Sequence, residues 1–178
     1  MTKESPANPP TTGVTKKNPE KFQVILYQPE IPPNTGNILR LTAATGSSLH
    51  LVGPLGFRLD AAGVRRAGMD YRALAEVTRH ADWPAYLSHE SHHPGGSLYG
   101  VSTHGERLFT DCDFQPGDRF LFGSEGAGLP EALRETCQKE NRLIRLPMLP
   151  GTRSLNIANS VAVILYEALR QNGFPSLQ

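Results

Sequence analysis

The chain has 178 residues, with 18 Lys and Arg against 17 Asp and Glu and a formal net charge of +1. This length is typical of one domain, and the near-neutral balance gives no general argument for a nucleic-acid partner. No apolar run approaches the ~18 residues of a membrane span, and the N-terminus lacks the apolar centre of a secretory signal. We therefore expect a soluble, cytoplasmic protein without a membrane partner.

The segment Met1–Glu20 is rich in Pro, Thr, Asn and Lys and has almost no large apolar residue. Such a composition buries too little surface to offset the entropy lost on ordering. It predicts a flexible tail and leaves residues 21–178 as a single domain. Cys112 and Cys137 lie in unrelated contexts without CxxC spacing, which predicts free thiols rather than a disulfide or zinc framework.

The first predicted strand leads into a helix with polar residues at its start. Phe22–Tyr27 is an apolar run rich in β-forming residues, typical of a buried parallel strand. Asn34 predicts a helix N-cap, and Gly46 predicts the end of that helix. Because α/β folds bind ligands at the carboxyl edge of the sheet, this junction is a candidate site. Arg40 either leans back toward it or is an ordinary surface arginine.

The segment after a second predicted strand, Leu49–Val52, is the most basic part of the chain. Between Arg58 and His80 the arginines, which include Arg65 and Arg66, outnumber the acids, and Tyr71 lies among them. Arginines interleaved with an aromatic side chain are typical of an RNA-binding surface, although a solvated helical face has the same composition.

A histidine-rich stretch, His89, His92 and His93, follows a short predicted helix around Trp83. We expect these histidines in a glycine- and proline-rich loop. Since no acid or cysteine completes a metal-ligand set of known spacing, the sequence predicts no metal site there.

A glycine-rich turn forms a second junction. Strands are predicted at Leu98–Thr103 and Asp118–Gly123, and the latter runs directly into the turn Gly123–Pro130. This turn is neither a Walker loop nor a dinucleotide fingerprint. Its glycines allow close backbone approach to a ligand beside the single carboxylate of Glu125, with a purely structural turn as the alternative.

The third junction lies near the C-terminus. A fifth strand is predicted at Asn141–Pro147, followed by a proline- and glycine-bearing loop and an apolar helix at Leu155–Gln171. Arg153, Ser154 and Asn156 are thereby held at the mouth of a helix N-terminus, on a rigid support suited to a binding site. About five strands alternating with helices predict an α/β domain with a mostly parallel sheet flanked by helices.

The three junctions resemble the three signature motifs of the SPOUT superfamily of RNA methyltransferases, in the branch that methylates the ribose 2'-hydroxyl. They read NTGNILR, FGSEGAGLP and LPMLPGTRSLN, in that order. Within this branch, LYQPEIPPNTGNILR, the central RRAGMDY and the final YEALRQNG resemble the bacterial enzymes that methylate the wobble nucleotide of tRNA. The resemblance covers nearly everything except the tail.

The resemblance implies a C-terminal trefoil knot and a homodimer whose active site takes residues from both subunits. It implies S-adenosylmethionine (SAM) as the methyl donor and the anticodon stem-loop of tRNA as the substrate, with no metal. The target would be the wobble pyrimidine, a cytidine or a uridine of the carboxymethylaminomethyl type. The expected cofactor contacts, mostly through backbone groups, are Val101, Gly123, Leu146 and Ser154.

For catalysis, the resemblance implies that Arg40 handles the proton of the 2'-hydroxyl. A guanidinium rarely gives up its proton, so Arg40 either acts as the base or holds the adjacent phosphate and stabilises the developing alkoxide. The site around Arg40 would be shaped by Asn34, Glu125, Ser154 and Asn156. The expected RNA-binding positions are Arg65, Arg66, Arg153 and Tyr166. Arg153 and Tyr166 also fit positions at the dimer seam, and Tyr166 is equally typical of a core-edge tyrosine.

Two other functions are compatible with these motifs. One is a 2'-O-methyltransferase acting on ribosomal RNA or on another tRNA position, and the other is a catalytically silent module that binds SAM or RNA. A chain of 178 residues leaves little room for an additional RNA-binding domain, which favours a small substrate. A silent module has no need for Arg40 together with all four polar residues around it.

Overall fold

The computed structural model describes residues 21–58, 77–92, 95–175 and 177–178. These residues form one seven-stranded sheet, four α-helices and a short 3-10 turn at Phe109–Asp111. In chain order the strands and α-helices are β1 (Gln23–Tyr27), α1 (Pro32–Thr45), β2 (Ser48–Val52), β3 (Val77–His80), α2 (Trp83–His92), β4 (Leu98–Val101), β5 (Arg107–Leu108), β6 (Arg119–Phe122), α3 (Glu131–Lys139), β7 (Leu143–Arg145) and α4 (Ile157–Gln171). Among the helices described, none is both long and apolar enough to cross a membrane.

Every strand pair in the described sheet is parallel, and the strand order is β3-β2-β1-β6-β4-β7-β5. The interior strand β1, between β2 and β6, is buried, with Val24, Ile25 and Leu26 at most 1% exposed. Burial on both faces explains why it reads as a continuous apolar run. Because all strands are parallel, their carboxyl ends share one edge of the sheet. The predicted α/β class with a mostly parallel sheet is confirmed.

Side chains of the sheet alternate between two hydrophobic clusters, one on each face. Val24 and Leu26 belong to the larger cluster, which includes Leu39 of α1 and Leu165 of α4. Ile25 belongs to the smaller cluster, with Tyr86 of α2. Helices α1 and α4 therefore pack on one face of the sheet and α2 packs on the other.

Helix α1 begins about one turn earlier than the sequence predicts. Ile31 is the N-cap and prolines occupy the first helical positions, so the predicted N-cap at Asn34 was wrong. Proline suits the first turn because its φ is already helical and the missing N–H has no helical partner there. The predicted end at Gly46 is confirmed, since Gly46 adopts the left-handed conformation with φ 67°.

The sequence analysis missed two strands, β3 and β5, and both lie at the edges of the sheet. The first has Val77 as its one strongly apolar residue, and the second has only two residues. Neither is long or apolar enough to show a strand pattern. His89 and His92, expected in a loop, lie instead in the last turn of α2, because Tyr86 and Glu90 keep one face of that helix buried.

The remaining predictions concern the cysteines, the N-terminal tail, the basic segment and the knot. The free thiols are confirmed, because Cys112 and Cys137 are both buried and unbridged. The N-terminal tail, His93 and the basic pair Arg65 and Arg66 lie outside the described residues. The tail, the single-domain boundary and the trefoil knot stay predictions.

Candidate active site

Two hydrogen bonds through one side chain join the three predicted junctions. The Asn156 amide donates from Nδ2 to Asn34 Oδ1 at 3.0 Å, and Asn34 Nδ2 in turn donates to Glu125 Oε1, also at 3.0 Å. These residues come from parts of the chain separated by 122 and 91 positions. Asn34 is 8% exposed, so its amide is shielded from competing water. The structure therefore brings together Asn34, Glu125 and Asn156, which the sequence assigned to one site.

Glu125 also binds the backbone just before α1 from a distant loop. Its Oε2 accepts the N–H of Glu30 at 2.8 Å, and its Oε1 accepts the N–H of Ile31 at 3.3 Å. These two N–H groups immediately precede the prolines at the start of the helix, and Ile31 has no side chain able to cap it. A carboxylate here also interacts favourably with the positive end of the helix dipole. Glu125 thus fixes the first junction to the second at the start of α1.

Glu30, which the sequence analysis did not identify, makes the reciprocal hydrogen bond with its carboxylate. Glu30 Oε2 accepts the N–H of Gly126 at 2.9 Å, so each loop supplies an acceptor for the backbone of the other. The exchange locks the turn after β1 to the turn after β6. The only sequence signal for Glu30 is an acid just before the proline-rich start of a helix, and this signal does not reveal its distant partner.

The third junction is held by the cap of α4. Asn156 is its N-cap, and its Oδ1 accepts the N–H groups of Ala158 at 2.9 Å and Asn159 at 3.4 Å. With Oδ1 engaged by the helix, the Nδ2 group is aimed away from it, toward Asn34. Asn156 therefore sets the position of α4 relative to α1.

The three expected cofactor contacts in the sheet lie side by side at its carboxyl edge. Val101 ends β4, while Gly123 and Leu146 directly follow β6 and β7. β4 lies between the other two strands, and Val101 is in register with Phe122 on one side and Ile144 on the other. The strand order therefore groups residues that are far apart in the sequence.

Gly123 has a steric reason to be glycine. A Cβ atom at this position would lie 2.0 Å from the backbone carbon of Gly128 and 2.1 Å from the backbone nitrogen of Leu129. Real Cβ atoms do not approach backbone atoms this closely, so any side chain would force the glycine-rich turn open. The turn folds back on itself through a bridge between Ser124 and Gly128. Glycine here serves the shape of the turn.

The remaining candidates lie outside this hydrogen-bonded group. Arg40 is exposed on α1, and Arg153 and Ser154 are exposed in the loop between β7 and α4. Tyr166, on α4, is 47% exposed, and its role at an RNA or dimer surface stays a prediction. These four residues are exposed, as is Asn156. Asn34, Glu125 and Asn156 differ from them in being joined by hydrogen bonds, and they form the support of the site.

Comparison with known families gives this arrangement a context. The sequence model of the SpoU rRNA Methylase family matches residues 21–166. The chain belongs to this family. The resemblance to the SPOUT 2'-O-methyltransferases that the three motifs indicated is thereby confirmed.

Three relatives refine the comparison of this SpoU-family protein. A tRNA (cytidine(34)-2'-O)-methyltransferase of Burkholderia ambifaria is 53% identical over 153 residues, which cover 86% of this chain and 97% of the relative. A structure solved for the 2-OH methylation of C/U34 on tRNA has a TM-score of 0.76 and 38% identity, covering 88% of this chain and 99% of its own. The SpoU methyltransferase AviRb of Streptomyces viridochromogenes, solved in complex with AdoMet, has a TM-score of 0.71 and 29% identity. The match covers 95% of this chain and 64% of AviRb.

The substitution Glu125→Gln tests the support of the site. Glutamine has the same size as glutamate. Its NH2 group, however, would face a backbone N–H group that now donates to the carboxylate, so two donors would meet. We expect a loss of about 1–3 kcal/mol in the free energy of unfolding, measured by urea denaturation. Glu135→Gln, at an exposed position of α3, is the matched control and should stay within about 0.5 kcal/mol of the parent chain. Equal stability of the two variants would show that Glu125 does not hold the junctions together.

Proposed function

We propose that this protein transfers a methyl group from SAM to the ribose 2'-hydroxyl of the wobble pyrimidine, nucleotide 34 of tRNA. The observation that carries the proposal is the hydrogen-bonded meeting of the three motif junctions beside three adjacent strand ends. The chain belongs to the SpoU family, and a relative that is 53% identical to it over 153 residues, 97% of the relative's length, is named for cytidine 34 of tRNA. A tRNA substrate is consistent with a cytoplasmic protein.

The carboxyl edge of β4, β6 and β7 fits SAM chemically. Val101 and Leu146 are half-buried and pack against the larger hydrophobic cluster, and Gly123 brings bare backbone to the other side of Val101. An adenine ring needs apolar walls together with backbone donors and acceptors, and this edge offers both. Ser154, in the loop that precedes α4, would close the pocket. When bound, SAM supplies a methyl group on an electron-poor sulfonium.

In-line methyl transfer requires an oriented hydroxyl and a place for its proton or for the developing negative charge. In this chain the orientation falls to the rigid support formed by Asn34, Glu125 and Asn156. These three act as positioning residues, because the atoms described above are engaged with one another and with helix N-termini. Arg40 and Ser154 are the accessible groups, and they would face the ribose and its phosphate.

Arg40 is the residue assigned to the reacting hydroxyl. We expect Arg40→Ala to lose at least about 100-fold in kcat, because it removes either the base or the group that stabilises the alkoxide. Arg40→Lys distinguishes these roles in a methyl-transfer assay across pH. A base role predicts measurable activity with a shifted pH profile, whereas a flat profile would exclude Arg40 as the base. Lys139→Ala, at an exposed cation in the last turn of α3, is the control and should retain activity.

The basic segment between β2 and β3 is the proposed guide for tRNA, together with Arg153. Replacing Arg65 and Arg66 with Ala should weaken tRNA binding. It should also lower the slope of log Kd against log salt concentration by the equivalent of about two phosphate contacts, because each arginine that binds a phosphate releases counterions. SAM affinity, measured by calorimetry, should not change. Unchanged tRNA affinity in the double variant would assign the RNA surface elsewhere.

A homodimer with a shared site is part of the same proposal. Helix α4 presents an outer stripe on which Val163 is 41% exposed and Tyr166 is 47% exposed, and Leu155 just before the helix is 45% exposed. Apolar side chains that line up on an accessible helix face favour burial against a second copy. Sedimentation equilibrium gives the mass directly, and a monomer at assay concentrations would count against a shared site.

The function as a whole is tested by mass spectrometry of tRNA nucleosides from a strain lacking the gene. We expect loss of one 2'-O-methyl pyrimidine at the wobble position, restored by the parent chain and not by Arg40→Ala. Loss of a ribose methyl at another tRNA position or in ribosomal RNA would favour the alternative substrate. A complete nucleoside set in the deletion strain would instead favour a silent SAM- or RNA-binding module.

A further inference from the structure

Three histidines meet on the face of the sheet opposite to α1 and α4. His50 comes from the middle of β2, His80 from the end of β3 and His89 from α2. One ring nitrogen from each lies within 4.8 Å of the other two. His50 is 4% exposed and His80 is 8% exposed, whereas the side chain of His89 is 32% exposed. The cluster is therefore buried on two sides and accessible from the third.

The first two rings meet edge to edge. His50 Nδ1 lies 3.0 Å from His80 Nε2, the ring centroids are 5.3 Å apart, and the planes differ by 7°. That centroid separation is close to the largest that a 3.0 Å nitrogen contact permits, so the rings are coplanar and the nitrogens point at each other. One of these nitrogens must carry a proton and the other a lone pair.

The third ring approaches from outside this plane. The ring of His89 is tilted by 67° against His50 and by 73° against His80, with centroids 5.5 Å and 5.1 Å away. Glu90, the acid next to it, lies with Oε1 3.8 Å from His89 Nδ1, while its Oε2 pairs with Arg119. A carboxylate beside an imidazole is the usual means of orienting a metal-bound histidine.

We propose that His50, His80 and His89 bind a divalent transition metal, and that Zn²⁺ is the ion whose chemistry fits these ligands. Zinc–nitrogen bonds of about 2.0–2.1 Å in a tetrahedron place neighbouring nitrogens roughly 3.3 Å apart. The His50–His80 contact already has nearly this length. Because the two nitrogens point at each other, both rings would turn to aim their lone pairs at an ion beside the N–N line, and His89 would close the remaining distance by side-chain rotation. Three imidazoles leave a fourth position open on the accessible side of His89.

The ion would replace the proton shared by His50 and His80. The ring that donates in the hydrogen bond moves that proton to its other nitrogen and remains neutral, so both facing nitrogens become ligands. Burial, reinforced by the neighbouring histidines, lowers the pKa of His50 to about 4 and also lowers the pKa of His80. Both rings are therefore neutral at pH 7, which is the form that binds metals.

The site would fasten β2, β3 and α2 together at one edge of the sheet. It is separate from the proposed active site, since the three histidines lie on the opposite face from α1 and α4 and belong to none of the three junctions. The sequence analysis considered His89 with His92 and His93, but the structure pairs His89 with His50 and His80. Their spacing of 30 and 9 positions does not resemble a known ligand motif.

The test is a direct metal titration of the metal-stripped full-length chain. We expect one equivalent of Zn²⁺ to bind in competition with a chromogenic chelator, and Co²⁺ to give the intense visible absorption of a tetrahedral site. Zinc should also raise the Tm, because it binds the folded state. The variant His89→Gln should bind at least about 10-fold more weakly. It alters a partly exposed residue and should remain folded, as checked by circular dichroism.

His92→Gln is the matched control, because this exposed histidine lies on the same helix outside the cluster. It should bind Zn²⁺ like the parent chain. Two results would overturn the proposal: the absence of stoichiometric binding by the parent chain, or equal binding by the parent chain and His89→Gln. Methyl transfer is not a readout here, so the outcome is independent of the proposed function.

Discussion

The amide of Asn34 is the group on which the arrangement of the site depends. An amide carries an acceptor and a donor on one planar group, and Asn34 uses the acceptor toward Asn156 and the donor toward Glu125. Aspartate could not donate and leucine could do neither, while serine is too short to span both partners. Because this amide is buried, leaving either end unpaired would cost desolvation free energy without return. One side chain thereby sets the relative positions of three loops.

Two helix N-termini converge on this group, but their electrostatic situations differ. The start of α1 meets the carboxylate of Glu125, which neutralises its partial positive charge. The start of α4 is capped by the neutral amide of Asn156, which satisfies N–H groups without supplying charge. The positive field of α4 thus remains available to an anionic group, such as the carboxylate of SAM or an RNA phosphate. The difference arises from two cap residues and gives the site its polarity.

Local patterns predicted the parts of this protein that depend on neighbouring residues. The apolar run of β1, the helix end at Gly46 and the three polar junctions were all readable, because periodicity and turn chemistry act over a few positions. The start of α1 was misjudged because Asn34 looks like a cap, while the helix begins at two prolines with Ile31 as its N-cap. The assignment of Asn34 to the site did not depend on its being the N-cap.

What the sequence could not show is contact between distant segments. Glu30 carries no motif, and its bond to Gly126 spans 96 positions. His50 and His80 sit in strands where a histidine reads as an ordinary polar interruption, and only the pairing of β2 with β3 brings them together. The motif resemblance indicated the expected active-site residues, but it gave no indication of the cluster of His50, His80 and His89.

The pairing of β1 with β6 has a consequence for how the protein is made. The first strand to leave the ribosome cannot complete its pairing until β6 has been synthesised, and the last support of the site, Asn156, comes with α4. A nascent chain therefore has no partly working pocket at any earlier stage. Without the 15 residues of α4, one face of the sheet also lacks the cover of Val161, Ile164 and Leu165. Incomplete chains would expose that apolar face and be marked for chaperones or proteases.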